Sequence, residues 1–253
     1  MAQLDRRYAQ PAGSAAREVG RIDEGLRSFM LGTYNYMAGG VALTGIVAYL
    51  MFTMAAVQDP ATGKLMLTQF GKTLYLSPLK WVVMLAPLAF ILFMSFARTS
   101  AATAQLVFWA FAAVMGVSMS WIFVVFKLGS IYQMFFVTAA AFAGLSLYGY
   151  TTKKDLSGWG SFLIMGVIGI LIAGIINIFL QSGALHFAIS VIGLLVFAAL
   201  TAYDTQRLKD EYYGVAGDGE AMKKASIFGA LALYLDFVNM FQFLMSLFGG
   251  QNE

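Results

Sequence analysis

The sequence has no cysteine, a single histidine and four prolines in 253 residues. Without thiols the chain can form no disulfide, no thiolate metal site and no thiol nucleophile, and its redox compartment stays undetermined. The lone His186 excludes any site that needs two imidazoles. Thiol catalysis and paired-histidine metal sites are therefore removed from consideration.

Charge is also scarce, because only 11% of the residues are charged whereas 60% are hydrophobic and the mean hydropathy is +0.74. A soluble domain carries about 25% charged residues, so this composition indicates a polytopic membrane protein in contact with lipid. The 15 methionines and 22 phenylalanines are interpreted as lipid-facing or packing residues, and no cofactor is expected. The net charge of +3 is read as a topology signal, and no nucleic-acid partner is expected.

Apolar segments divide most of the chain, and a membrane crossing needs about 20 such residues. The uncharged stretch 156–203 is too long for one crossing, so we place a turn at 181–186, with His186 at the membrane interface. The predicted segments are 28–58, 81–97, 99–126, 128–152, 161–180, 187–206 and 225–248. We therefore predict an all-α fold with a transmembrane domain at 28–248, a cytoplasmic, partly disordered tail at 1–27 and a short carboxyl-terminal tail at 249–253.

Lysine and arginine are distributed unevenly between the two sides of these segments. Twelve of the 16 basic residues fall on the side of the amino terminus, including four in a charged loop predicted at 207–224. The positive-inside rule places that side, and with it the amino terminus, in the cytoplasm. The last segment could cross fully or re-enter, and the sequence leaves both open.

Asp236 is the only charged residue between Lys224 and Glu253. An ionised carboxylate inside a membrane span costs several kcal/mol, so Asp236 should face the protein interior, hold a proton or have a partner. Asp204, near the end of the preceding segment, is the candidate partner. Because Asp236 lies roughly 18 Å along a helix from Lys224, the two acids can meet only if the last helix begins below the membrane plane or the preceding helix tilts or breaks.

Two arginines on the cytoplasmic side could complete this cluster. Arg207 is three residues from Asp204 and would share its helix face, while Arg98 ends the second segment on the same side. Two carboxyl groups in low dielectric cannot easily both stay ionised, so the pair would act as a proton-sensitive latch. Loss of the proton would leave negative charge that an opening or a cation could relieve. Calcium favours such hard oxygen ligands, although two carboxylates support only a transient contact at Asp204 and Asp236.

Simpler interpretations stand beside this one. Asp236 could be a protonated acid that only hydrogen-bonds between helices, and Asp204 with Arg207 could mark a helix end at the interface. Arg98 could be a basic membrane anchor without contact to the acids. Each of these alternatives leaves the residues without a role in gating.

Three stretches resemble motifs of the Bax inhibitor family of membrane proteins, in its bacterial branch: 200–209 (LTAYDTQRLK), 233–241 (LYLDFVNMF) and 146–157 (SLYGYTTKKDLS). The resemblance covers residues 28–248. It implies a seven-helix bundle with two layers of three helices around a central carboxyl-terminal helix, in the bacterial inner membrane. It also implies that Asp204 and Asp236 are the family's paired acids and that Arg98 matches an arginine near them. This chain has Pro87 where those bacterial members carry an acid.

The resemblance implies a pH-sensitive calcium leak, with calcium ions and protons as partners, and no enzyme activity. A second hypothesis is a non-conducting regulator of stress or protein quality control, which would bind other membrane proteins through 1–27 and 207–224. A third is an intramembrane aspartyl protease. That class needs a Gly-x-Gly-Asp element where this chain has Leu233-Tyr234-Leu235-Asp236, and a later Pro-Ala-Leu element although the last proline here is Pro87.

Overall fold

Helices make up nearly all of the chain in the computed structural model, which describes residues 12–60, 64–96 and 100–252. The helices are α1 (Ala12–Ala55), α2 (Gln69–Leu76), α3 (Leu79–Phe96), α4 (Ala101–Met119), α5 (Ile122–Val125), α6 (Leu128–Thr151), α7 (Gly160–Leu180), α8 (Gly183–Val215) and α9 (Gly219–Phe248). A short antiparallel hairpin of β1 (Ala56–Gln58) and β2 (Leu65–Leu67) joins α1 to α2, and a 3-10 turn at Ser157–Trp159 precedes α7.

Six described helices are long and apolar enough to cross a membrane. A seventh crossing results if α2 and α3, which meet at a bend of 62°, count as one broken span. The prediction of an all-α, polytopic membrane protein is confirmed. The second predicted segment, 81–97, is the one that differs, because it forms the longer arm of this bent pair.

The crossings run alternately between two ends of the bundle. At one end Gln206 of α8 binds the α6–α7 connection, and the Ala101 amide at the start of α4 donates to Glu220 of α9 over 2.7 Å. We call this the basic end, since it carries the 152–159 connection and the α8–α9 turn. The opposite, distal end holds the β hairpin, the 120–127 connection and the α7–α8 turn.

Helix α9 traverses the bundle from the basic end to the distal end. Just beyond it, the Lys127 amide donates to Gly250 O over 2.8 Å, and the Asn252 amide donates to Val125 O over 2.9 Å. These bonds fix the carboxyl-terminal segment to the α5–α6 connection. The segment 225–248 therefore crosses the bundle fully and does not re-enter.

Helix α9 is also the most enclosed of the candidate spans. It packs against α1, α4, α6 and α8, and 67% of its apolar window is buried, against 6% for α7. The difference identifies α9 as the axis of the bundle and α7 as a helix that faces lipid. The arrangement of the other helices in two layers of three stays a prediction.

The predicted charged loop at 207–224 is wrong, because α8 continues to Val215 and only Ala216, Gly217 and Asp218 separate it from α9. Its charged residues are good helix formers, and the Asp218 carboxylate caps α9 by accepting from the Glu220 and Ala221 amides at 3.0 Å. Helix α1 begins at Ala12, within the predicted tail 1–27, whose first eleven residues lie outside the described ranges, and the division of the chain into tail and transmembrane domain stays a prediction.

Candidate functional site

Asp204 of α8 and Asp236 of α9 meet inside the bundle, and we call them the acid pair. Their side chains are close enough to interact directly, and the residues are only 6% and 3% exposed. Both helices continue beyond the acids towards the basic end, α8 for eleven residues and α9 for seventeen. The last helix thus begins well beyond the level of the acids, which is one of the two arrangements that the sequence required for their meeting.

A hydrogen bond between two carboxyl groups needs a proton on one of them. Asp236 Oδ2 is buried and receives a hydrogen bond from none of the donors in the described part of the chain. One proton held between the two groups would satisfy this oxygen and would remove one negative charge from the low-dielectric interior.

Arg207 connects the acid pair to the outer surface of the bundle. Its Nη2 lies 3.1 Å from Asp204 Oδ1, and its side chain is 49% exposed, so the ion pair lies at the boundary of the bundle. The guanidinium also lies 5.8 Å from the ring of Tyr203. Of the predicted site residues, the structure brings Asp204, Asp236 and Arg207 together, while Arg98 lies outside the described residues.

A chain of hydroxyl groups leads from Thr205, the residue after Asp204, to the side of the bundle. The Thr205 hydroxyl donates to Thr201 O over 2.8 Å and lies 3.0 Å from Ser146 Oγ on α6. Ser146 also hydrogen-bonds to the Tyr34 hydroxyl of α1. Tyr34 and Ser146 line a lateral cavity of about 500 Å³ between α1 and α6, next to Arg27. The residue after Asp204 is thus connected through hydroxyls to a surface opening.

Two of the three motifs pack directly on each other. Gln206 of the 200–209 motif accepts from the Leu156 amide over 2.7 Å and donates to Lys154 O over 2.9 Å. Lys209 donates to Tyr150 O over 3.2 Å. The α6–α7 connection is therefore fastened to the helix that carries Asp204, which explains why these separate stretches occur together.

The 233–241 motif also contains Tyr234, which makes a buried polar contact two residues before Asp236. Tyr234 is fully buried, and its hydroxyl lies 2.6 Å from Thr44 Oγ1, which donates to Ala112 O over 2.8 Å. The Tyr234 ring packs edge-on against Phe108 and Phe111 of α4. These contacts fix the rotation of α9 and thereby the direction in which Asp236 points.

The described residues contain no group of three or more His, Asp or Glu side chains that could hold a metal ion. Calcium takes six to eight oxygen ligands. Two carboxyl groups supply only some of these ligands, so the acid pair by itself does not form a calcium site.

The sequence analysis missed the polar residues around the acids. Thr205, Ser146 and Tyr34 are common residue types in an apolar chain, and only their contacts single them out. A second missed group is Asn239, Gln242 and Ser246, which follow Asp236 along α9 at helical spacing. That spacing was visible in the sequence and could have indicated a polar face. His186, predicted at the membrane interface, is exposed in the first turn of α8 and contacts Ser246.

Comparison with known proteins adds independent information. Residues 26–253 match the family described as "Inhibitor of apoptosis-promoting Bax1". The chain is 47% identical to an uncharacterized protein of Caulobacter vibrioides over the full length of both. It is 42% identical to the protein RP147 of Rickettsia prowazekii, over 92% of this chain and 93% of that one. It is 40% identical to the inner membrane protein YbhL of Escherichia coli, over 90% of this chain and 93% of that one.

Proposed function

Since the chain belongs to the family of the inhibitor of apoptosis-promoting Bax1, we propose that it is a pH-sensitive cation leak channel, with calcium as its main ion and the acid pair as its gate. The observation that carries the proposal is the meeting of Asp204 and Asp236, buried in a membrane protein and linked to the outer surface of the bundle by Arg207. An ionisable group in a membrane span is costly to bury, so its presence favours a functional role.

The mechanism follows from charge. With one shared proton, the acid pair and Arg207 together are neutral, and the two helices are held by a hydrogen bond and an ion pair. When that proton leaves, two adjacent carboxylates repel each other in low dielectric. The repulsion is relieved when the helices separate or when a cation binds between the carboxylates. Proton occupancy and cation passage are thus linked.

We further propose that the protein lies in a bacterial inner membrane with its basic end in the cytoplasm. The name of the Escherichia coli relative supports the membrane, and the excess of lysine and arginine at the basic end supports the orientation. The amino terminus would then be cytoplasmic and the distal end would face outward.

Flux through purified protein in liposomes tests this function. A calcium indicator inside the vesicles should report entry that changes with pH, and Asp204→Asn and Asp236→Asn should alter both the rate and the pH dependence. Asp210→Asn is the matched control, because it removes an exposed carboxylate from the same helix. Calcium entry that both acid-pair variants leave unaltered would refute the gate.

The same experiment separates the competing functions. A wild-type protein that passes no calcium at any pH would favour the non-conducting regulator, whose binding to other membrane proteins could then be sought. Cleavage of a model transmembrane substrate, lost in Asp236→Asn, would instead support the protease.

A further inference from the structure

A cavity of about 370 Å³, lined by both apolar and polar side chains, lies at the distal end of the α8–α9 pair, away from the basic connections. The polar side chains that line it are His186, Ser190, Asn239, Gln242, Ser246 and Gln251. A concentration of hydroxyl, amide and imidazole groups is unexpected in helices that are otherwise apolar. Hydrogen bonds between α8 and α9 use His186, Ser190 and Ser246, and the amide oxygens of Asn239 and Gln242 accept no hydrogen bond across the bundle from the described residues.

The α9 residues of this cavity continue a stripe that begins at the acid pair. Between Phe237 and Phe248, the polar residues of α9 are Asn239, Gln242 and Ser246. Their spacing of three and four residues places them on one face of the helix, with Asp236 three residues before the first. One face of the central helix is thus polar from the acid pair to the distal end, a distance of roughly 15 Å for ten residues.

At the mouth of the cavity, hydrogen bonds join α8 to α9. Ser246 Oγ lies 2.8 Å from His186 Nε2 and 2.9 Å from Ser190 Oγ. Ser190 in turn donates to His186 O over 2.9 Å. His186 is exposed, so this network is the point at which the polar stripe reaches the surface.

Apolar side chains separate the cavity from the acid pair. The Phe243 ring packs against Gly193, where an added Cβ would lie 2.4 Å from Phe243 Cζ, and its centroid is 6.0 Å from that of Phe197. Next to this contact, Thr201 Oγ1 donates to the sulfur of Met240 over 3.4 Å. Asn239 and Asp236 are one helical turn apart, so the barrier is short. Hydrophobic constrictions of this kind gate channels by excluding water.

We propose that this cavity is the outer mouth of the cation route. The amide and hydroxyl oxygens of Asn239, Gln242 and Ser246 replace part of the cation's hydration shell, and Met240, buried about one helical turn from Asp236, closes the route from the cavity towards the acid pair. Hard cations accept amide, hydroxyl and carboxylate oxygens as ligands. This inference rests on the proposed function, because the cavity would be the outer opening of the proposed leak and the constriction would be its barrier.

The absence of cysteine makes a direct test possible, because an introduced cysteine is the only thiol in the chain. A positively charged, membrane-impermeant methanethiosulfonate is added on the distal side of liposomes that contain Gln242→Cys. The reagent should label the protein and reduce calcium entry about tenfold, since it fills a narrow polar mouth with positive charge. Gln69→Cys, an exposed α2 position at the same end, should be labelled with no change in flux.

The double variant Ser190→Cys/Ser246→Cys provides a second test, because the two hydroxyl oxygens are 2.9 Å apart. Cadmium should bridge the two thiols and block calcium entry, whereas it should leave the flux of each single variant at the level of that same variant without cadmium. Size-exclusion elution at the wild-type position shows that the variants are folded. If wild-type protein conducts but neither reagent reduces flux, the mouth lies elsewhere and this inference fails alone. If wild-type protein does not conduct, the leak function itself fails.

Discussion

Gly149 of α6 lies directly against the backbone of Ala202 of α8, where an added Cβ would come within 2.2 Å of Ala202 O. A backbone oxygen in a helix cannot move away by a change of rotamer, as the end of a flexible side chain can. The close approach of α6 and α8 at this point also positions Ser146 against Thr205 and holds the α8 segment that carries Asp204.

We therefore expect Gly149→Ala to force α6 and α8 apart and to destabilise the protein by about 1–3 kcal/mol, as overpacked substitutions do. The measurement is the thermal unfolding midpoint in detergent. Gly144→Ala is the matched control on the same helix, because its added Cβ would meet nothing within 4 Å. Equal midpoints for the two variants would show that the contact with Ala202 is not tight.

Tyr234→Phe and Thr44→Val should differ in their effect on the free energy of unfolding. Tyr234→Phe removes one hydroxyl and leaves Thr44 bonded to Ala112 O, so a loss of about 0.5–1.5 kcal/mol is expected. Thr44→Val leaves the buried Tyr234 hydroxyl without this partner and should cost more. Thermal unfolding in detergent measures both. The exposed Tyr132→Phe should change nothing, and a larger loss for Tyr234→Phe than for Thr44→Val would contradict the bonding scheme.

Arg207→Gln should change the free energy of unfolding only modestly but should shift the pH dependence of calcium entry. The Arg207 side chain is 49% exposed whereas that of Asp204 is 9% exposed, so loss of the pair should lower the free energy of unfolding by about 1 kcal/mol. Under the proposed function, removal of the positive charge makes the acid pair retain its proton more firmly. The midpoint of the pH dependence of calcium entry should therefore move to higher pH. A midpoint that stays in place, with wild-type flux, would mean that Arg207 does not act on the pair.

Asp155, in the connection between α6 and α7, should titrate below its usual range. Its Oδ1 accepts hydrogen bonds from the Ser157 hydroxyl and, at 2.9 Å, from the Ser157 amide, and these bonds lower the pKa of Asp155 below the ordinary 3.8. The carboxylate therefore stabilises the connection above pH 3.8, and this contribution is lost as pH falls through the lowered pKa.

The chemical shift of the Ser157 amide proton, followed in detergent micelles, measures that titration. Its midpoint should lie below 3.8 in wild-type protein, and the transition should be absent in Asp155→Asn. A titration midpoint above pH 3.8 would contradict the hydrogen bonds from Ser157 to Asp155.

The sequence predicted the crossings well, because a segment that crosses a bilayer must be a long run without charge, and such runs are visible in the sequence. The run 128–152, for example, forms α6 over Leu128–Thr151. It failed where charge was equated with loop structure. The segment from Arg207 to Val215 carries charge but is helical, because Leu208 and Tyr212 are buried in the core while its exposed residues include good helix formers. The bend between α2 and α3 was likewise hidden, since a broken span has the same composition as a straight one.

The acid pair was predicted from the rarity of its residues, whereas its surroundings were not. A lone carboxylate in an apolar run is conspicuous, and Asp236 therefore stood out. Ser146 and Thr205 gain their meaning only from a contact between residues 59 positions apart, which no local pattern encodes. The gating roles of Asp204, Asp236 and Arg207 stay predictions until flux is measured.

The attachment of residues 250 and 252 to the α5–α6 connection has a practical consequence for work with this protein. Gln251 borders the distal cavity, so any affinity tag appended after residue 253 would hang beside that opening. A polyhistidine tag there would bring metal-binding imidazoles next to the place where ions are expected to emerge. Purification handles belong at the other terminus.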